Sequence, residues 1–416
     1  EDISKHWIPD APREDLTHLT CITIDDLTTR DMDDALSIER TASGYSLGVH
    51  ISDVSALVPP GSALDLDAKS RGVSLYLPES TINMLPDTLS EDKLSLVSGE
   101  VRLCISFLFE LDSFHHVVSS QIKASRIRVR QRLSYDQVDA VLERRSDESL
   151  EPIRELVEML YQVSTEYEAW RIDRGALKLS RKDVNVFVRS GGDDFELVEF
   201  DEASPARSLV GELMVLANST CAEFCAKNDL VILYRGQPSS EEVSPSELNQ
   251  IPSGPAYEYA LRSKLKRSVT AFSPQPHASL GLNAYTQATS PIRRYADLCA
   301  QRQLLHFLSY GKGFYSLEAF EQIAAELDHP LTVAKAVNRY SKRYWLLKYL
   351  ARLQRSRSTI RGTVIRTDLK NPIVELEQVY LPVSVRFSGE VSRGDRVELR
   401  IVDVDPRYDH LKLAPV

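Results

Sequence analysis

Five aspartates fall within ten positions of the stretch TIDDLTTRDMDDAL: Asp25, Asp26, Asp31, Asp33 and Asp34. Carboxylates this close repel one another, and burial raises the cost of charging them. Solvent, a cation or a helix N-terminus must compensate. Asp25 follows the apolar run CITI, which reads as a strand. Asp31 and Asp33 share a face if the chain is extended, and Asp34 joins them at a bend. Short carboxylates with no His or Cys nearby suit a hard cation, Mg2+ or Mn2+, over zinc. Beside a phosphodiester such an ion polarises a phosphoryl oxygen, activates water and steadies the leaving oxygen. A calcium loop of the EF-hand type does not fit, because the alternate positions carry Leu27 and Thr29, the glycine position Arg30 and the closing glutamate position Leu36. A solvated acidic turn is the plain alternative.

A site that acts on phosphate also needs cations. The stretch ATSPIRRYADL (288–298) reads as a helix start, with Ser290 as cap, a proline in the first turn, and Arg293 and Arg294 just behind it. From Lys335 to Arg361 nine basic residues, Arg339 among them, run without one Asp or Glu. Tyr340, Tyr344, Trp345 and Tyr349 are interleaved. In KASRIRVRQR, Arg126, Arg128 and Arg130 share one strand face at period two. Each run read alone is a solvated face. Read together, single-sign runs with aromatics fit a channel that tracks a nucleic-acid backbone and stacks bases. The net charge of −10 argues the other way only as an average.

The elements that position these groups follow from pattern. CITID, ALSIER and YSLGVHISDV read as strands, with TASG as a hairpin turn between the last two. GSALDLDAKSRGVSLYLP reads as a short helix running into a strand. VRLCISFLFELD and HHVVSSQIKASRIRVRQRLS alternate as antiparallel strands do. Ser134 caps a helical region that reaches about Arg174, and SPARSLVGELMVLANSTCAEFCAKN reads as a central helix. SPSELNQI opens a shorter helix, the helix begun at Ser290 ends at Gly311, and SLEAFEQ onward supplies one or two more. The last 60 or so residues change to short alternating strands, four or five of them, which suit a small OB-type barrel. The expected organisation is therefore α+β: a lead-in over 1–20, a catalytic domain over 21–355 and an all-β nucleic-acid-binding barrel over 356–416.

The five cysteines are scattered and odd in number, which fits buried thiols in a reducing, cytoplasmic setting. Cys221 and Cys225 lie one helical turn apart but lack a nearby His or Cys partner for a metal. No run of about 18 apolar residues is evident, so no membrane span is expected.

These motifs together resemble the ribonuclease II (RNB) family of exoribonucleases. TIDDLTTRDMDDAL, VHISDVSALVPPGSALDLDAKSRGVSLYLP, MLPDTLSEDKLSL and TSPIRRYADL occur in that family's order and at similar spacing. The resemblance implies a mixed or antiparallel sheet with helices around an RNA channel, then an OB barrel. It implies a monomer that degrades single-stranded RNA from the 3′ end to nucleoside 5′-monophosphates with Mg2+, or Mn2+ in its place. Asp25, Asp31, Asp33 and Asp34 match the metal-holding catalytic aspartates, and Asp26 falls outside that set. Arg293 matches the arginine that grips the scissile phosphate, and Tyr76 the tyrosine on which the terminal base stacks. Arg294, Arg126, Arg128, Arg130 and Arg339 would line the RNA path. Asn338, Gln301 and Gln237 depart from the family pattern, and Leu179 stands near its second aromatic clamp position. Ahead of residue 21 there is no room for paired cold-shock barrels, so the expectation is either a compact member or a chain whose N-terminal domain has been removed or replaced. The alternative reading is an RNA-binding scaffold of the same fold that has lost the reaction, against which the full aspartate set counts.

Overall fold

The computed structural model describes residues 12–145, 148–178, 182–189, 194–239 and 251–416. The first strands in chain order are β1 (Glu14–Asp15), β2 (Cys21–Asp25), β3 (Asp34–Arg40), β4 (Gly44–Ser52), β5 (Leu75–Tyr76), β6 (Thr81–Ile82), β7 (Val101–Asp112) and β8 (Val117–Ser134), with the helix α1 (Ala63–Arg71) between β4 and β5. Six of them form one sheet in the order β1-β8-β2-β3-β4-β7, and β7 pairs back onto β8, so the sheet closes on itself. The long β8 makes the closure. Its first part lies antiparallel on β7, with Val101 opposite Arg128. Its last part runs parallel to β2, with Asp25 opposite Ser134. The sheet is mixed, as expected. Glu14 and Asp15, within the polar lead-in, add a parallel strand opposite Ser125 and Arg126, and Leu16 behind them is buried.

Ser134 ends β8 and caps α2 (Tyr135–Leu142) with a reciprocal box: Gln137 N–H donates to Ser134 Oγ, and Ser134 N–H to Gln137 Oε1. With α3 (Glu151–Asp173) and α4 (Pro205–Lys227), α2 covers one face of the sheet around Ile22, Ile24, Phe107 and Phe109. Each such side chain, fully buried, contributes roughly 1.5–3 kcal/mol. Helix α4 is long and apolar enough to cross a membrane, which the sequence reading missed; Leu209, Leu213, Ala217, Cys221 and Cys225 bury its apolar side in this core instead. All five cysteines are buried and free.

Helices α5 (Pro255–Lys264), α6 (Tyr295–Tyr310) and α7 (Leu317–Arg355) follow. α6 ends at Gly311 in the left-handed region (φ 67), as expected, but starts at Tyr295 rather than at Ser290. Residues 291–294 are committed elsewhere: Ser74 N–H donates to the Arg293 carbonyl at 3.0 Å, and Arg294 bridges Val73. α7 is a single helix of 39 residues with Pro330 inside it. Phe320, Ile323 and Leu327 before the proline and Ala334 after it are buried, and this packing carries the helix past a residue that removes a backbone bond. The helix expected to open at Ser244 lies in a stretch outside the described residues.

The hairpin β9 (Lys182–Val188) and β10 (Phe195–Asp201) was not evident from pattern, and a short ladder joins β11 (Tyr234–Gly236) to β12 (Val269–Ala271). β13 (Thr359–Arg366), β14 (Ile373–Leu376), β15 (Leu381–Ser384), β16 (Arg396–Asp405) and β17 (His410–Pro415) form a curled antiparallel sheet in the order β15-β14-β13-β16-β17, an OB-like barrel. Its core is shared: Trp345, Leu346, Leu347 and Leu350 of α7 and Val184 and Val186 of β9 pack with Val364, Val374 and Leu399 of the barrel.

Candidate functional site

The aspartate loop joins β2 to β3 and is pinned along its length. Arg132 Nη2, near the end of β8, donates to the carbonyls of Asp26, Leu27 and Thr29 at 3.1, 2.9 and 2.6 Å. Ser95 Oγ donates to the Arg30 carbonyl at 2.6 Å and accepts from Met32 N–H at 3.0 Å. The Met32 side chain, between the aspartates in sequence, is buried in an apolar cluster with Cys21, Ala35 and Leu96. Asp26, outside the matched set, pairs with Arg207 at 2.5 Å, whose guanidinium covers the Tyr135 ring at 4.2 Å. The loop is thereby held as a rigid shelf, with Asp25 at one strand end and Asp34 at the next.

Across the shelf lies the turn before α6. Asp33 accepts from Ile292 N–H at 2.8 Å through Oδ1 and from Arg293 Nε at 3.0 Å through Oδ2. Arg293 Nη2 donates to Ser290 Oγ at 3.0 Å, so Ser290 orients the arginine instead of capping a helix. Arg293 Nη1 has no protein acceptor among the described residues, and the side chain is 46% exposed, so it can still take an anion. Tyr76 donates its hydroxyl to Asp31, while the residue stays 45% exposed, which excludes a core tyrosine. Asp25, Asp31, Asp33, Asp34, Tyr76 and Arg293 open onto one cleft of about 720 Å3, which Thr81, Asn83, Tyr135, residues 184–187 of β9, and Asn338 and Lys342 of α7 also line.

The crowding is visible in the acid strengths. Burial, with smaller contributions from neighbouring carboxylates, pushes the Asp25 carboxyl up to about 6. Burial pushes Asp33 up to about 7 against the pull of Arg293. Asp34 is driven well above the carboxylate range by burial first and by Asp25 and Asp33 next. Burial and the Asp31 charge likewise keep the Tyr76 hydroxyl protonated. The protein alone leaves this charge undercompensated, and the donors are all carboxylate oxygen, so the set fits a hard cation. Among the described residues no three acidic, His or Cys side chains close into a finished cage. Asp31 and Asp33 are engaged by Tyr76 and Arg293, which leaves Asp25 and Asp34 as the less committed pair.

Other expected site residues are placed elsewhere. Arg294 pairs with buried Asp297 at 2.7 Å and does not line the cleft. Arg126, Arg128 and Arg130 do share the exposed face of β8, where Arg126 pairs with Asp15 at 2.8 Å, but that face is not the cleft wall. Arg339 is exposed on α7, over the Tyr340 ring at 4.8 Å, while Asn338 and Lys342 face the cleft. Gln301 is buried and spans from the Ser52 carbonyl (2.6 Å) to Val54 N–H (3.2 Å), and Gln237 bonds the Lys266 carbonyl and Ser279 N–H, so both are structural. Leu179 lies outside the described residues. Lys342 belongs to the basic run 335–361 expected along the RNA path, and it does border the cleft, whereas Arg132 and Ser95 were missed. Arg132 at least stood in a basic run; a lone serine carries no such signal.

The RNB domain family matches residues 13–310. A protein of Synechocystis described as uncharacterized ribonuclease sll1290 is 34% identical over 406 residues, covering 97% of this chain and 60% of its own length. Ribonuclease II, chloroplastic/mitochondrial, of Arabidopsis thaliana is 30% identical over 95% of this chain and 49% of its own. The chain thus spans about half to three-fifths of these relatives. Mycoplasma genitalium RNase R, solved with ribose-methylated single-stranded RNA, shares the fold at a TM-score of 0.84 and 23% identity, over 100% of this chain and 73% of that one. The chain belongs to the RNB family.

Proposed function

We propose that this chain is the catalytic part of an exoribonuclease that hydrolyses single-stranded RNA from its 3′ end, releasing nucleoside 5′-monophosphates with Mg2+ or Mn2+. The observation that carries the reading is the convergence of Asp25, Asp31, Asp33, Asp34, Tyr76 and Arg293 on one cleft. The family membership and the relatives named as ribonucleases support it.

The division of labour follows from the contacts. Tyr76 offers the 3′-terminal base a flat face, with its hydroxyl anchored on Asp31 so that the ring cannot swing away. Arg293, locked by Asp33 and Ser290, presents its free N–H to the scissile phosphate and stabilises the charge that grows there. Asp25 and Asp34, joined by Asp31 and Asp33, would hold the ion. When bound, that ion supplies Lewis acidity at the phosphoryl oxygen and a more acidic water. Attack forms the bond from water oxygen to phosphorus and breaks the bond to the 3′-oxygen of the penultimate nucleotide, which takes up a proton. A terminal nucleoside 5′-monophosphate and a chain shorter by one residue result.

The test is digestion of a 5′-labelled single-stranded RNA with Mg2+, Mn2+, Ca2+ or EDTA, beside a DNA of the same sequence. A ladder that shortens from the 3′ end with Mg2+ or Mn2+, is feeble with Ca2+ and is absent with EDTA supports the proposal. Full degradation in EDTA, or binding without degradation under every condition, overturns it.

A further inference from the structure

Tyr76 is carried by very little secondary structure. β5 pairs only with β6, and the two form a separate ribbon of two residues a side. A ribbon this short is marginal in water by itself, so its place is set by what holds its ends. At the root, Ser74 N–H donates to the Arg293 carbonyl at 3.0 Å, and Ser74 Oγ accepts from Met84 N–H at 2.8 Å. The turn is closed by Leu77 N–H to the Ser80 carbonyl at 2.9 Å and Ser80 N–H to the Leu77 carbonyl at 3.3 Å. Those two bonds shape the turn but attach it to nothing else.

The tip is attached through one side chain. Glu79 Oε2 accepts from Trp345 Nε1 at 2.8 Å and from Ser341 Oγ at 3.1 Å. Beside it, Val188 N–H reaches the Pro78 carbonyl at 3.4 Å, a long bond. Ser341 and Trp345 are four apart on α7, so they stand one above the other on a single face of the helix. Trp345 is 6% exposed, meets Phe195 edge-on at 5.2 Å and belongs to the core shared with the barrel. The anchor is therefore fixed. Asn338 and Lys342, in the next row of the same helix, border the cleft, so α7 sets the cleft wall and the hairpin tip together. Tyr76, Leu77 and Pro78 border the cleft and Glu79 does not, so its influence on the reaction passes through them. The plain alternative is that Glu79 only satisfies a buried indole N–H, a matter of stability and not of register.

We infer that Glu79 is a positioning residue for the reaction: by bracketing the hairpin tip onto Ser341 and Trp345, it sets where the Tyr76 ring stands relative to the aspartates, and so the register of the RNA 3′ end. This rests on the exoribonuclease reading and deepens it. The Tyr76 hydroxyl on Asp31 fixes the far end of the ring. Glu79 fixes the strand that carries it. A misplacement of about 1 Å at a reacting centre costs about a hundredfold in rate, so a hairpin released at its tip loses turnover before it loses RNA.

The test uses Glu79→Ala, Glu79→Gln and the double variant Tyr76→Ala/Glu79→Ala. Digestion of single-stranded RNA in Mg2+ is measured beside equilibrium binding in EDTA and thermal melts. In Glu79→Gln the amide oxygen still accepts from Trp345 and the NH2 group donates to Ser341 Oγ, so the bracket survives without its charge. Glu79→Ala lowers kcat about tenfold or more and lengthens the final oligonucleotide, while affinity for long RNA stays near the parent's. Glu79→Gln stays near the parent throughout. The double variant falls no further than Tyr76→Ala, since both changes act on one ring. If Glu79→Ala fails to fold, Glu79→Asp decides, being one methylene too short to hold both donors. Should the parent degrade RNA and Glu79→Ala match it in kcat and end product, Glu79 is merely structural and the exoribonuclease reading stands. Equal damage from Glu79→Gln, or a double variant well below Tyr76→Ala, likewise overturns the inference alone. Should the parent fail to degrade RNA in Mg2+, both fall.

Discussion

At the scale of the residue, the account turns on pairings. Asp33 receives Ile292 N–H on one oxygen and Arg293 Nε on the other. In Asp33→Asn one of these positions becomes an NH2 group. If the remaining oxygen keeps Ile292, a donor faces Arg293, and the arginine loses its anchor along with the site losing a charge. Turnover should fall by about a thousandfold or more, as for loss of preorganised transition-state contacts. RNA affinity, measured by equilibrium binding, should change little. Tyr76 separates ring from hydroxyl. Tyr76→Phe keeps the stacking face but frees Asp31, so it should slow turnover with an unchanged end product. Tyr76→Ala should lengthen the final undegraded oligonucleotide, and neither variant should lower the melting temperature, because the residue is 45% exposed. Residue types and local spacing were enough to single out the aspartate cluster and Arg293, while the choice of four aspartates without Asp26, and Tyr76 itself, came from the resemblance to the RNB family. The partnerships were not legible, because Asp31 meets Tyr76 across 45 positions and Asp33 meets Ile292 across 259.

At the scale of the element, the question is what holds the shelf and the ring. Arg132 on β8 closes three carbonyls of the aspartate loop. Arg132→Ala leaves those carbonyls to water and should cost about 1–3 kcal/mol of stability. Its larger effect should be on kcat, with KM nearly constant, because it loosens the aspartates and leaves the cleft walls alone. The closed ring has its own polar thread. His50 on β4 bonds Ser37 of β3 at 2.9 Å and Ser106 of β7 at 2.7 Å, and Ser106 bonds Ser125 of β8 at 2.6 Å. Gly48 makes room for it, since a Cβ there would stand 2.5 Å from both His50 Nε2 and Ser37 Oγ. Burial pushes the His50 imidazole down from the usual 6.5 to about 3. The unfolded chain therefore binds a proton that the folded one refuses, and stability falls as pH drops below 6.5 toward 3. Between about pH 7.5 and about pH 5.5 this group should remove about 1.4 kcal/mol. Urea unfolding at the two pH values checks it: the loss should shrink by that amount in His50→Gln, and an unchanged loss would remove His50 as its source.

The strands that carry the site were legible because apolar alternation and turn residues agree in β2, β3, β4, β7 and β8. The closure of β7 onto β8 was not, since it follows from one strand of 18 residues pairing differently at its two ends. The start of α6 was misread because Ser290 and Pro291 carry cap chemistry while tertiary pairing to residues 73 and 74 claims the backbone that follows. The β9–β10 hairpin escaped because its short runs, KDVNVFV and FELVEFD, mix charge on the solvent face with aromatics on both.

At the scale of the whole molecule, the net charge of −10 and a polyanionic substrate are reconciled by segregation. The basic residues 335–361, with no Asp or Glu between them in sequence, occupy the second half of α7 and the start of β13; Lys342, Arg343 and Arg361 pair with Asp183, Asp409 and Glu377, and Lys342 also borders the cleft. RNA affinity should therefore fall with rising salt, log K against log salt having a slope of about −0.7 per phosphate neutralised. Salt-independent binding would point to contacts other than these. The shared core of α7, β9 and the barrel makes the cleft wall and the OB-like barrel one packed body. A rigid wall suits the proposed activity, in which each new 3′ end must reach the same aspartates. The most direct measurement is the fate of an RNA labelled only in its 3′-terminal nucleotide. With Mg2+ the account predicts that the first labelled product is the nucleoside 5′-monophosphate, and that Asp33→Asn releases almost none of it. Release of the label in longer fragments, as a 3′-monophosphate, or undiminished from Asp33→Asn would contradict it.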